Sequence, residues 1–160
     1  MLQSVQAVLE ALGARQLTLA VAEGDTGGLL LQALTAVPGS SAVVRGGVVA
    51  YHDDLKREVL GLPVEMLQRH GAVSAEVAEA MARGVRTLAG ADLGLAATGI
   101  AGPGGATELK PVGLAFVAAV SADRSLVRAH HWQGDRQANR AASAEAALQL
   151  ALELLKIPTH

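Results

Sequence analysis

The short apolar run Leu17 to Ala22 meets Glu23-Gly24-Asp25-Thr26-Gly27-Gly28, and a second apolar run, Leu29 to Val37, starts at once. The first run has the length of a buried strand and the second has room for a helix. A strand that passes through a glycine-rich turn straight into a helix is a building unit of α/β sheets. No other feature constrains the fold of this chain as strongly. In open α/β sheets, ligands gather beyond the carboxyl ends of strands, so the turn Ala22 to Gly28 is also the leading ligand-facing corner.

The rest of the chain repeats the alternation. Val5, Val8, Leu9 and Leu12 fall on one face of an opening helix, with Gly13 as its expected stop. Pro38-Gly39-Ser40-Ser41 is turn chemistry. Val43 to Tyr51 reads as a second strand, with Gly46-Gly47 marking a bulge or a close backbone approach. His52 to Gly71 reads as two short helices broken near Pro63. Ser74 is a good N-cap with Glu76 in the first turn, and Val77, Met81, Val85 and Leu88 then line one helix face. Leu93 to Ala97 is a third strand that runs into a second glycine-rich loop, Thr98 to Gly105. Val112 to Val120 and Leu126 to Trp132 read as neighbouring strands joined by the turn Ser121 to Ser125. Asp135 opens a long helix with Ala144, Leu148, Ala151, Leu152 and Leu155 on one side and Pro158 after its end. Strands interleaved with helices predict a sheet covered on both faces. The late hairpin makes that sheet mixed.

Composition narrows the function. The 160 residues suit one domain, 1–160, with a real core. Thirteen basic against fifteen acidic residues give a net charge of −2, without the basic excess of a nucleic-acid binder. Three aromatic residues, Tyr51, Phe116 and Trp132, offer few stacking platforms for bases. The absence of Cys excludes a thiol nucleophile, a thiolate metal site and disulfides. No apolar stretch has membrane-spanning length, and the N-terminus does not read as a signal peptide. The expectation is a cytoplasmic protein.

Two loops carry the candidate chemistry. In the first, glycines allow close backbone approach, and the helix start offers free N–H groups to a phosphate or carboxylate. The alternative is a tight turn capped by Asp25 or Thr26. In the second, four glycines and Pro103 within Thr98 to Gly105 can present several N–H groups to an anion, or form a plain surface loop. Neither loop has the Lys-Ser or Lys-Thr of a nucleotide-hydrolase phosphate loop, nor the dinucleotide spacing. Arg136 and Arg140 share one helix face, where they either clasp a phosphate or stay solvated. Glu23, at the strand end, is read as a backbone cap. His130 and His131 are neighbours in a strand, so they point to opposite faces and do not share a metal ion. No metal site and no cofactor are expected.

Seven pieces in order then resemble a known family. They are A-E-G-D-T-G-G at 22–28, V-P-G-S-S at 37–41, G-G-V-V-A-Y at 46–51, G-A-V-S at 71–74, T-G-I-A-G-P-G-G at 98–105, K-P-V-G at 110–113 and G-D-R at 134–136. Over roughly Val5 to Leu155 the chain resembles the C-terminal domain of the competence/damage-inducible protein CinA, the nicotinamide-mononucleotide amidohydrolase family. The resemblance implies a three-layer α/β/α fold, a homo-oligomer and a small-molecule nucleotide or phosphate ester as ligand. It also implies hydrolysis of the carboxamide of nicotinamide mononucleotide by a serine nucleophile and a lysine base, without metal.

Carried onto this chain, the lysine is Lys56, Tyr51 stands near the pocket and Arg140 near the substrate. With these go the substrate-binding candidates Gly24, Thr26, Gly27, Gly28, Thr98, Gly99, Gly102, Gly104, Arg136 and Arg140. The family turn reads A-E-S-C-T-G-G, so Gly24 stands at the serine and Asp25 at the Cys. Glycine cannot form an acyl-enzyme. Three readings follow: a degenerate amidohydrolase that keeps its pocket, a hydrolase using water activated by Asp25 or the hydroxyl of Thr26, and a non-catalytic partner subunit. Lys56, without a serine, is either an exposed helix charge or, if buried, a partner for Asp25 or a ligand anion.

Overall fold

The computed structural model describes residues 1–156. Five strands form one sheet: β1 (Leu19–Glu23), β2 (Val44–Val49), β3 (Leu93–Gly99), β4 (Leu114–Val120) and β5 (Ser125–His131), in the order β2-β1-β3-β4-β5. β1 pairs in parallel with both β2 and β3, and β4 runs antiparallel to β3 and β5. The sheet is mixed, as the late hairpin requires. The interior strand β1 is buried along its whole length, whereas the edge strand β2 alternates half-buried and exposed residues.

Helices cover both faces. α1 (Leu2–Arg15), α2 (Leu29–Thr35) and α6 (Arg136–Lys156) enclose one core with Val8, Leu12, Leu34, Leu95 and Leu148 fully buried. On the other face α5 (Ala75–Ala89) packs through Val77, Met81 and Val85. The short helices α3 (Asp53–Glu58) and α4 (Val64–His70) precede it, with Pro63 as the N-cap of α4. A 3-10 turn, Ser40–Ala42, follows the Pro38-Gly39 corner.

Three sequence expectations are corrected. α1 runs through Gly13 and ends at Gln16, which takes the left-handed conformation (φ 55°) and lets Leu17 N donate to the Leu12 carbonyl. A glycine costs about 1 kcal/mol in a helix, and the buried Val5, Val8 and Leu12 offset it. Leu88 is 56% exposed, so the buried face of α5 closes at Val85. Thr98 and Gly99, expected in the loop, belong to β3 and pair with Phe116 and Ala115. The expectation that Pro158 follows α6 lies outside the described residues.

Gly46-Gly47 serves both suggested purposes. The β1–β2 register slips at Arg45, so a bulge sits beside Gly46. A Cβ on Gly47 would lie 2.6 Å from the Val21 carbonyl oxygen, a close approach open to glycine alone. Ser74 caps α5, its hydroxyl accepting from Val77 N at 3.3 Å. Ser74→Ala is expected to cost about 1 kcal/mol, seen as a Tm about 2–4 °C lower in thermal unfolding.

Candidate functional site

The parallel strands β1 and β3 end side by side, so the two glycine loops that follow them meet at one edge of the sheet. Between them lies a cleft of about 230 Å³. It is lined by Gly24, Asp25, Thr98 and Gly99 from the strand ends, by Gly102 and Gly104 from the second loop, and by Tyr51, Lys56 and Arg136. Thr26, Gly27, Gly28 and Arg140 do not line it.

Asp25 is 9% exposed and its Oδ1 has no hydrogen-bond partner. Burial raises its pKa from the usual 3.8 to about 6. The N–H groups of Asp25 and Thr26 and the charges of Arg140 and Arg136 pull the other way without overcoming it. The carboxyl lies against Gly99, where a Cβ would come within 2.8 Å of Oδ2. Glycine at 99 therefore makes the room that the carboxylate occupies.

The cap of α2 falls to another residue. Glu23 Oε1 accepts from Leu30 N, seven residues on, and Glu23 is 1% exposed. Burial raises the pKa of Glu23, while the Leu30 N–H and the nearby Thr26 hydroxyl lower it. Thr26 itself is fully buried beside Glu23, away from the cleft.

Lys56 is 3% exposed, so it is not a solvated helix charge. Its partner is Asp53, one turn earlier, at 3.2 Å from Nζ to Oδ1. Asp53 also lines the cleft. It is the residue that sequence reasoning passed over, although the i, i+3 spacing from Lys56 marks it once the lysine is known to be buried. Ala72 and Val73 of G-A-V-S line the cleft as well, and Thr98 Oγ1 donates to the Ala72 carbonyl at 2.8 Å.

The two arginines of α6 take separate tasks. Arg136 donates to the Gly102 carbonyl at 2.9 Å and to the Tyr51 hydroxyl at 3.1 Å, forming the exposed rim with Tyr51, itself 64% exposed. Arg140 turns inward and donates to the carbonyls of Asp25 (3.0 Å) and Thr26 (2.9 Å) and to Gln137 Oε1 (3.0 Å). It braces the first turn from behind. Below it, Asn139 accepts from Gly134 N and donates to the Ala101 carbonyl, tying the second loop to the same helix. His130 stacks on Trp132, with ring centroids 4.5 Å apart and 9° between planes. No helix among the described residues is long and apolar enough to cross a membrane.

The model of the CinA C-terminal domain family matches residues 2–155. A putative competence-damage inducible protein of Desulforudis audaxviator is 52% identical over 139 residues, covering 87% of this chain and 34% of its own length. A CinA-like protein of Desulfotalea psychrophila is 48% identical over 145 residues, 91% of this chain and 35% of its own. The chain thus spans about a third of the length of these relatives. The crystal structure of competence/damage inducible protein CihA from Agrobacterium tumefaciens has a TM-score of 0.93 at 37% identity, covering 98% of this chain and 95% of that one. That of competence damage-inducible protein A from Klebsiella pneumoniae has a TM-score of 0.93 at 34% identity, with 98% of each chain covered. On a family match over nearly its whole length, and on relatives this similar, the chain belongs to the CinA C-terminal domain family.

Proposed function

We propose that this chain binds a pyridine mononucleotide or a related phosphate ester in the cleft between its two glycine loops, and does not run a serine hydrolysis there. The observation that carries the reading is the glycine at 24. It lies on the cleft floor, without a side chain, in a cleft that otherwise gathers Lys56, Tyr51, Thr98 and Arg136. A cleft open at about 230 Å³ favours a bound small molecule over a role as a filled, purely structural partner subunit.

One observation favours a second reading. Asp25 lines the same cleft, and its pKa of about 6 would suit a general base acting on water near neutral pH. In that case amide hydrolysis proceeds without a covalent intermediate.

Calorimetric titration and thermal unfolding with nicotinamide mononucleotide, beside an ammonia-release assay, test both. Binding is expected to add about 2.7 kcal/mol of stability at a hundred times the dissociation constant, with no ammonia released. No shift with either nicotinamide or nicotinate mononucleotide sinks the binding reading. Ammonia release that disappears in Asp25→Ala replaces the leading reading with the second.

A further inference from the structure

The cleft floor is built of hydrogen-bond acceptors. The one hydroxyl hydrogen of Thr98 goes to the Ala72 carbonyl, so Oγ1 offers the cleft lone pairs only. Asp25 adds a carboxylate that is nine-tenths buried, with Oδ1 unpartnered. Gly24 puts no side chain in front of them, and its own N–H is taken by the Ala97 carbonyl at 2.9 Å. The two cations that also line the cleft are already engaged, Lys56 by Asp53 and Arg136, on the rim, by the Gly102 carbonyl and Tyr51. A buried polar group without a partner is expensive, and a ligand that supplies the partner recovers that cost on binding.

We propose that Asp25 is the specificity-determining residue of the cleft, accepting an N–H from the carboxamide of an anionic mononucleotide whose phosphate lies toward Arg136. This rests on the nucleotide-binding reading above and adds the direction of choice. An amide nitrogen meets acceptors at the floor and is held. A carboxylate in the same place meets a second carboxylate and the lone pairs of Thr98, and is rejected. The glycine at 99 fits this role, because any side chain there would push the Asp25 carboxyl out of its seat.

Nicotinamide mononucleotide and nicotinate mononucleotide differ only in this group, which makes them the probes. Calorimetric titration of the wild-type protein at neutral pH is expected to give at least about tenfold tighter binding of the amide, the worth of a hydrogen bond to a buried charged group. In Asp25→Asn, whose amide both donates and accepts, the preference is expected to fall to about threefold or less. Equal affinities in the wild type overturn the inference and leave the nucleotide site standing. So does an unchanged preference in Asp25→Asn. Failure of both nucleotides to bind overturns the site itself and the inference with it. The wild-type comparison alone can overturn the inference even if the variant does not fold.

Discussion

Asp25→Asn is expected to make the protein more stable at pH 7, by on the order of 3 kcal/mol. The carboxyl is pushed up from 3.8 to about 6 by burial, so the folded state holds its proton over a range where the unfolded chain has lost it. The sign follows from linkage. Below about pH 4 both states are protonated and Asp25 costs nothing. Between about pH 4 and 6 the unfolded chain ionises while the folded state keeps its proton, so stability falls; above about 6 the folded state also carries the buried charge and the loss stays constant. Asparagine removes that charge at nearly the same volume. Chemical denaturation of both proteins across pH 4 to 8 checks the prediction. Asp92, held low by the Thr18 N–H and hydroxyl, and Glu79, held low by Arg83, act in the opposite sense. They are present in both proteins, so the difference between the two curves isolates Asp25. A parallel pair of curves would show that the Asp25 carboxylate is well solvated or paired after all. A stabilising change at a cleft residue is also what is expected of a group kept for binding rather than for folding.

Gly24→Ser is expected to create ammonia release from nicotinamide mononucleotide, on the order of a hundredfold above the parent chain, where a nucleophile in hydrolases of the triad type is worth roughly a million-fold. The backbone admits the change. A Cβ at 24 would lie 3.4 Å from the Ala97 oxygen and 3.6 Å from Thr98 Oγ1, ordinary contact distances. The hydroxyl would enter the cleft that Lys56 already lines. The gain is expected to be partial, because Lys56 is tied to Asp53 and Asp25 stays on the floor. Gly24→Ala supplies the control: the same Cβ, no oxygen, and stability within about 1 kcal/mol of the parent. If the serine variant is no more active than the alanine variant, a hydroxyl at 24 is not enough to give the cleft this reaction.

β1 and β3 were legible because they are short runs of Leu, Ala and Val that pass into glycine-rich turns, a signal that needs no tertiary information. Placement of the turn 22–28 and the loop 98–105 beside each other followed from their positions after β1 and β3. The exceptions have physical causes. Gly13 looked like a helix stop, but burial of the α1 face outweighed local propensity. Leu88 continued the periodicity of α5 past the point where the sheet covers it. The cleft was harder to read because helical spacing gives a shared face, not a direction of reach. Arg136 and Arg140 are four residues apart, yet one meets the cleft and the other the back of the turn. Glu23, read as a backbone cap, does reach Leu30 N, whereas Asp25, which has the composition of a helix cap, lines the cleft instead. Asp53 was invisible until Lys56 proved to be inside.

The bracing of the first turn by Arg140 has a consequence for how the protein is made. The guanidinium of Arg140 holds carbonyls laid down 115 and 114 residues earlier, and that of Arg136 holds the Gly102 carbonyl 34 residues back. During synthesis the turn and the second loop leave the ribosome long before α6 does. A nascent chain that stops short of residue 136 has the walls of the cleft but not the donors that fix them. The cleft is therefore completed late, in the same step in which α6 docks and completes its core.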